Sequence, residues 1–383
     1  MYWQEETVSN QIESRELSKM KKEIFPLLII FMLTNSAYAQ LDSIYNQGEY
    51  RTFIVHEPTG YSPSSQYPLV LNLHGLGSSA SFQKTYTQFD DVADSLGFIV
   101  VYPNSKSNSW RTIGNTDVDF LTNLVDSVRA EYSCSSCLFV TGFSQGGFMT
   151  YKFANNTPHT ITAVATGSGS MSFALQNASS SAPQIPVMHF HGTSDSIVSY
   201  GGTVVISSVD STIQWWVDHN NCNTTPIFSN IPNSVSTDNS TVEKYYYGAG
   251  LSGNEVTLYK VINGGHTWSG STPITAFGST NQDINQSALI GSFFVDFCSE
   301  TFNISEAKNN LFVNLYPNPT CDYFSVALTQ DIKEIQIFNT SGQLMLKVHD
   351  TNGPINIASF TKGIYSVRII ANDIILSSKI IKL

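Results

Sequence analysis

Gly142-Phe143-Ser144-Gln145-Gly146 lies between an apolar, strand-like run at 137–141 and a helix-like run at 148–153. A serine on such a strand-to-helix turn has its hydroxyl lifted clear of the chain, and small flanking residues leave room for the sharp turn and for an approaching carbonyl. Ser144 is therefore the candidate nucleophile. A serine is a weak nucleophile until a base takes its proton, so a histidine and an acid to orient it must follow. Both appear in order. The apolar run 185–190 ends in His191-Gly192-Thr193-Ser194-Asp195, with an acid just beyond a buried strand. The alternating run 256–262 breaks into Asn263-Gly264-Gly265-His266-Thr267-Trp268, a histidine on a glycine loop. The expected assembly is Ser144 as nucleophile, His266 as general base and Asp195 as the group that orients the imidazole. A turn aspartate and a water-facing loop histidine are the plain alternatives, and each accounts for one residue rather than three in sequence.

A fourth element lies upstream. The run 67–73 reads as a strand and is followed by His74-Gly75-Leu76-Gly77-Ser78-Ser79. Backbone N–H groups of this loop can face a developing oxyanion together with the N–H of Gln145. Leu76 is the expected second donor, with Gly75 next to it, and His74 is expected to orient the loop rather than act as a base. Two aromatic residues are candidates for stacking on a sugar ring or a phenolic acid: Trp268, two residues after the histidine, and Trp110, in the loop beyond a strand end. For Trp268 the competing expectation is loop packing that positions His266.

These pieces, with Gly97-Phe98-Ile99-Val100-Val101-Tyr102-Pro103, resemble the secreted α/β-hydrolase esterases grouped with polyhydroxybutyrate depolymerases, feruloyl esterases and acetylxylan esterases. Asp117-Val118-Asp119-Phe120 departs mildly from the acidic pair and Val-Gly-Phe often found there. The resemblance implies an α/β fold, two-step acyl transfer to water, an ester substrate, no metal and no organic cofactor. It favours acetyl or feruloyl side groups of plant polysaccharides. The alternatives are a polyester depolymerase using the same machinery and, from another class, a non-catalytic surface adhesin on a hydrolase scaffold.

The elements that must carry these residues alternate as in such a sheet. Helix-like stretches are expected at 82–96, 118–132, 146–154, 212–219 and 287–297. Strands are expected at 98–102, 137–141, 161–166 and 187–191, with an antiparallel first strand at 50–56. The polar stretch 223–240 reads as a surface insertion. At least one of Trp215 and Trp216 is expected in the core. The chain has 383 residues, a net charge of -11 and 13% charged residues, which argues against a nucleic-acid partner.

Met20-Lys21-Lys22, an apolar stretch at 24–33 and Ala37-Tyr38-Ala39 read as a signal peptide over 20–39, with 1–19 a spurious N-terminal extension. The catalytic domain is expected over 40–298 and a linker over 299–310. Five cysteines suit an oxidising compartment. Cys134 and Cys137 are expected in a loop without redox chemistry. Cys222 and Cys298, each following a helix-like run, are expected to pair, leaving Cys321 free.

From 311 the chain breaks into short alternating runs, among them 324–328, 332–338, 343–348, 363–370 and 374–381, which suggest a small β-sandwich. Leu315-Tyr316-Pro317-Asn318-Pro319, Ile335 to Gln343, Gly363-Ile364-Tyr365-Ser366-Val367 and Lys379 to Leu383 resemble a type A C-terminal sorting domain of the type IX secretion system. That resemblance implies outer-membrane secretion machinery as a partner and an extracellular or cell-surface location. A carbohydrate-binding module is the competing reading, but the tail lacks the Trp such a platform would use.

Overall fold

The computed structural model describes residues 42–178, 182–298 and, between 314 and 382, all but 319, 329–331, 340–343, 350–352 and 372–373. The expected N-terminal extension, signal peptide and linker lie outside the described residues.

Long apolar runs form a mixed sheet because strands covered on both faces must be apolar throughout. In chain order the strands are β1 (Asp42–Asn46), β2 (Glu49–His56), β3 (Tyr67–Leu73), β4 (Ile99–Pro103), β5 (Cys134–Phe143), β6 (Ala163–Gly167), β7 (Val187–Gly192), β8 (Ile227–Ile231), β9 (Thr241–Tyr247) and β10 (Val256–Ile262). Their spatial order is β1-β2-β4-β3-β5-β6-β7-β10-β9-β8. The stretch from β4 to β10 is parallel, with antiparallel strands at both edges. All residues of β4, β6 and β7 are buried. Helices cover both faces: α1 (Ala80–Thr87), α2 (Phe89–Leu96), α3 (Thr116–Glu131), α4 (Gln145–Asn156), α5 (Phe173–Ala178), α6 (Val209–His219) and α7 (Gln286–Phe297). One core contains Phe120 and Leu124 of α3, Met149 and Phe153 of α4, and Ile213 and Trp216 of α6. The other contains Phe89 of α2 and Ile290 and Phe294 of α7. This is the α/β class expected, and Trp216 is the core member of the Trp pair.

Several local expectations are corrected. The single helix at 82–96 is two, because Gln88 adopts a left-handed conformation (φ 49°) and its N–H bonds Lys84 O, ending α1. The insertion 223–240 holds an exposed edge strand, β8, paired with β9. Cys134 and Cys137 lie within β5 rather than in a loop before it.

The disulfide also differs: Cys137 pairs with Cys298, while Cys134, Cys222 and Cys321 are free. The reason lies in the two periodicities. Cys137 and Phe139 share a face of β5, and Phe294 and Cys298 share a face at the end of α7. Phe139 stacks on Phe294 with centroids 4.4 Å apart, which aligns the two sulfurs. Cys222 is buried in the core on the opposite side of the sheet from α7 and cannot reach Cys298. The bridge closes 161 residues of chain. Replacing both Cys137 and Cys298 by Ser is expected to lower unfolding free energy by about 2–5 kcal/mol in urea titration. An unchanged midpoint would show that the loop constraint contributes nothing.

Among the described residues of the tail are β11 (Asn314–Tyr316), β12 (Tyr323–Ala327), β13 (Ile332–Phe338), β14 (Leu344–Val348), β15 (Ile355–Asn356), β16 (Gly363–Ala371) and β17 (Ile374–Lys382). They form two antiparallel sheets, β11-β12-β15 and β14-β13-β16-β17. Leu315 and Phe324 of the first sheet share a buried core with Ile335, Val367 and Ile380 of the second, which makes the expected sandwich. The connection between β13 and β14 falls largely outside the described residues; the two strands pair antiparallel.

Candidate active site

Ser144 sits between β5 and α4 with φ 55° and ψ -120°. A non-glycine residue holds such a conformation only where its surroundings enforce it. Its N–H is tied to Gly167 O (2.8 Å), and the glycines around it let the backbone cross closely. A Cβ on Gly146 would overlap the carbonyl of Leu73, and one on Gly142 would overlap the carbonyl of Gly146. The spacing of G-x-S-x-G is thus set by two backbone crossings.

His266 Nε2 lies 2.8 Å from Ser144 Oγ, and His266 Nδ1 lies 2.7 Å from Asp195 Oδ2. With Nδ1–H donating to the carboxylate, Nε2 is left to accept the serine proton. Asp195 Oδ1 accepts the N–H groups of Ile197 (2.9 Å) and Val198 (2.8 Å). Burial pushes the Asp195 carboxyl up, but the hydrogen bond and charge of His266 and the Val198 N–H outweigh it, so the group sits below its ordinary value. All three side chains are buried. The loops carrying the acid and the base are stitched together: Ser194 N–H donates to Gly264 O (2.9 Å) and Asn263 N–H to Thr193 Oγ1 (2.9 Å).

The loop after β3 passes beside the serine; a Cβ on Gly75 would stand 3.4 Å from Ser144 Cβ. His74 fixes its orientation. Ser105 N–H donates to His74 Nε2 (3.0 Å), so Nδ1 carries the proton and donates to Gly75 O (2.7 Å). Burial holds the His74 imidazole below its ordinary pKa, consistent with this neutral form. In a trans peptide the N–H points opposite to the C=O, so pinning Gly75 O fixes where the Leu76 N–H faces. Leu76, Gly75 and Gln145 all line the cavity at Ser144.

Both Trp residues are placed differently from a substrate platform. Trp110 is 2% exposed; its Nε1–H donates to His74 O (2.8 Å) and its N–H to Gln145 Oε1 (2.9 Å), so it ties the loop of 104–115 to the neighbours of the nucleophile. Trp268 is 1% exposed and donates through Nε1–H to Ser287 Oγ (2.9 Å) and through its backbone N–H to Tyr86 Oη (3.1 Å). It anchors the His266 loop to α1 and α7, as the packing alternative expects. An indole with no open face cannot stack on a sugar, so the stacking expectation is withdrawn for both.

Three contributions were not legible in the sequence. Arg51 on β2 makes a buried ion pair with Asp117 (3.0 Å), whose other oxygen accepts the Arg111 N–H and so holds the Trp110 loop. His189 and His191 on β7 extend a hydrogen-bonded row from Tyr151 on α4 (Tyr151 Oη to His189 Nδ1, 2.8 Å; His189 Nε2 to His191 Nδ1, 3.3 Å). His191 Nε2–H then donates to Val198 O (2.8 Å), bracing the Asp195 turn. Burial keeps both imidazoles below their ordinary pKa, His189 the more strongly. A cavity of about 1250 Å³ opens at Ser144, with exposed Leu76, Ile113, Ile197 and Val205 around it. Among the described residues no cluster of His, Cys, Asp or Glu is arranged to hold a metal ion.

A hydroxyl hydrogen-bonded to a neutral imidazole, itself held by a carboxylate, can attack a carbonyl carbon and form a covalent ester. Residues 111–225, which include Ser144 and Asp195, match the family described as phospholipase/carboxylesterase. Residues 314–383 match the secretion system C-terminal sorting domain. The chain thus joins an α/β-hydrolase fold, part of which is similar to that carboxylesterase family, to a segment that matches the sorting domain. It is 33% identical over 157 residues to the bifunctional acetylxylan esterase/xylanase XynS20E of Neocallimastix patriciarum, covering 40% of this chain and 23% of that one. It is 27% identical over 190 residues to feruloyl esterase C of Emericella nidulans, covering 48% of this chain and 66% of that one. The chain therefore spans less than a quarter of the first relative and just under two thirds of the second. An acetyl xylan esterase from Aspergillus awamori superposes with a TM-score of 0.47 at 16% identity, covering 62% of this chain and 96% of that one.

Proposed function

We propose that this chain is a secreted serine carboxylic ester hydrolase that removes acetyl or feruloyl side groups from plant polysaccharides. The observation that carries the reading is His266 bridging Ser144 (2.8 Å) and Asp195 (2.7 Å). His266 takes the proton as Ser144 Oγ attacks the ester carbonyl, and Asp195 steadies the imidazolium. The N–H groups of Gln145 and Leu76 hold the oxyanion, with Gly75 beside them. His266 returns the proton to the departing alcohol; water then repeats the cycle on the acyl-enzyme. The resemblance to acetylxylan and feruloyl esterases supports these acyl groups.

A second reading, polyester depolymerase, is favoured by the exposed apolar residues around the cavity, which suit an apolar polymer. A non-catalytic adhesin leaves the three-residue relay without a use. The sorting domain supports export by the type IX system to the medium or cell surface.

Acetylated xylan, methyl ferulate and short-chain polyhydroxybutyrate, offered to the medium of a type IX-secreting host, test both parts. With the full chain expressed, acetate or ferulate release is expected in the medium, and it should stay in the cells when residues 314–383 are deleted. Hydrolysis of the polyester alone would move the assignment to the second reading. Activity exported equally without the tail would refute the sorting role.

A further inference from the structure

The cavity at Ser144 differs in charge from the protein around it. The chain has 30 acidic residues against 19 Lys and Arg, yet among the described residues no Asp or Glu lines this cavity and Lys152 is the sole Lys or Arg that does. Lys152 stands on α4, eight residues after Ser144, which places it about 12 Å farther along the helix axis. The same cavity is lined by Phe148 and Asn156, four residues to either side on the same helix, and by Ala174, Leu175 and Ala178 from α5. No hydrogen bond or ion pair of the Lys152 ammonium occurs among the described residues, and the side chain is half-buried. Burial lowers its pKa, the mark of an ammonium partly stripped of water with no countercharge.

Resting on the hydrolase reading above, we infer that Lys152 is a specificity-determining residue that receives a carboxylate carried by the substrate on the order of 10 Å from the scissile ester. An ammonium in an otherwise uncharged, largely apolar wall gains more from an anion than one exposed to water, because the pair is less screened. Two kinds of ester carry such a group. A uronic acid in a polysaccharide places the anion on the alcohol side, and a dicarboxylic monoester places it on the acyl side. A lysine that only lays its stem along the wall with its head in water predicts no preference between charged and neutral substrates.

The experiment compares kcat/KM for paired substrates in the unaltered protein and in Lys152→Gln, Lys152→Arg and Lys152→Glu. One pair is acetylated xylo-oligosaccharide with and without a glucuronic acid branch. The other is the 4-nitrophenyl monoester of sebacic acid against the 4-nitrophenyl ester of decanoic acid. The charged-to-neutral ratio is expected to fall about tenfold in Lys152→Gln for one pair, which names the side that carries the anion. It should fall further in Lys152→Glu and be restored in Lys152→Arg. Neutral esters turned over with the ratio unmoved in both pairs would overturn the inference and leave the hydrolase reading standing. No turnover of any of the four by the unaltered protein would remove both.

Discussion

Ser144→Ala is expected to reduce turnover of 4-nitrophenyl acetate by on the order of 10⁴- to 10⁶-fold while leaving the protein folded. The size follows from the chemistry: without Oγ there is no covalent intermediate, and only oxyanion stabilisation and binding remain to assist water. The fold is expected to persist because Ala keeps the Cβ, so the strained backbone at φ 55° is no worse accommodated, and the Ser144 N–H bond to Gly167 O is untouched. The urea midpoint should move by less than about 1 kcal/mol in equivalent stability, as for other changes that open no large cavity. Turnover within tenfold of the unaltered protein would remove Ser144 from the reaction.

Asp195→Asn is expected to cost about 10⁴-fold in kcat with the geometry preserved. The reason is specific to this turn. The N–H groups of Ile197 and Val198 both point at Oδ1, so the amide oxygen of Asn must take that position. Its NH₂ then faces His266 Nδ1, which lies 2.7 Å from the other oxygen in the unaltered site. An NH₂ donates where the carboxylate accepted, so the imidazole must carry its proton on Nε2, and no acceptor remains for the Ser144 hydroxyl. Single-turnover and steady-state assays of the variant against 4-nitrophenyl acetate check this. A loss smaller than tenfold would mean that Asp195 does not set the tautomer.

What could be read in advance was what the backbone itself demands. Gly142 and Gly146 sit where any Cβ would meet a crossing carbonyl, so the nucleophile turn leaves a fixed spacing in the sequence. The strands β3, β4 and β7 announce themselves as apolar runs because the sheet covers both of their faces, β10 shows as an alternating run, and the acid and base follow the ends of β7 and β10. What could not be read was direction. Trp110 and Trp268 are near the site in sequence, but only the packed loops show that their indole N–H groups turn inward to His74 O and Ser287 Oγ. The disulfide pairing is hidden for the same reason: which side of the sheet Cys222 and Cys298 occupy depends on where α6 and α7 pack, and chain order does not state it. Gln88 breaks a helix with neither Gly nor Pro to mark the place. Lys152 looks like any helical lysine until the fold places it on the wall of the cavity that opens at Ser144.

The central claim is that Ser144, with its proton drawn to His266, is the group that attacks an electrophile. Diisopropyl fluorophosphate reacts with such a serine and not with an ordinary hydroxyl, so peptide mass mapping of the labelled, natively folded protein tests the claim most directly. One diisopropylphosphoryl group on Ser144, absent in the His266→Ala variant, is the predicted result. A protein left unlabelled, or labelled equally in that variant, would contradict it.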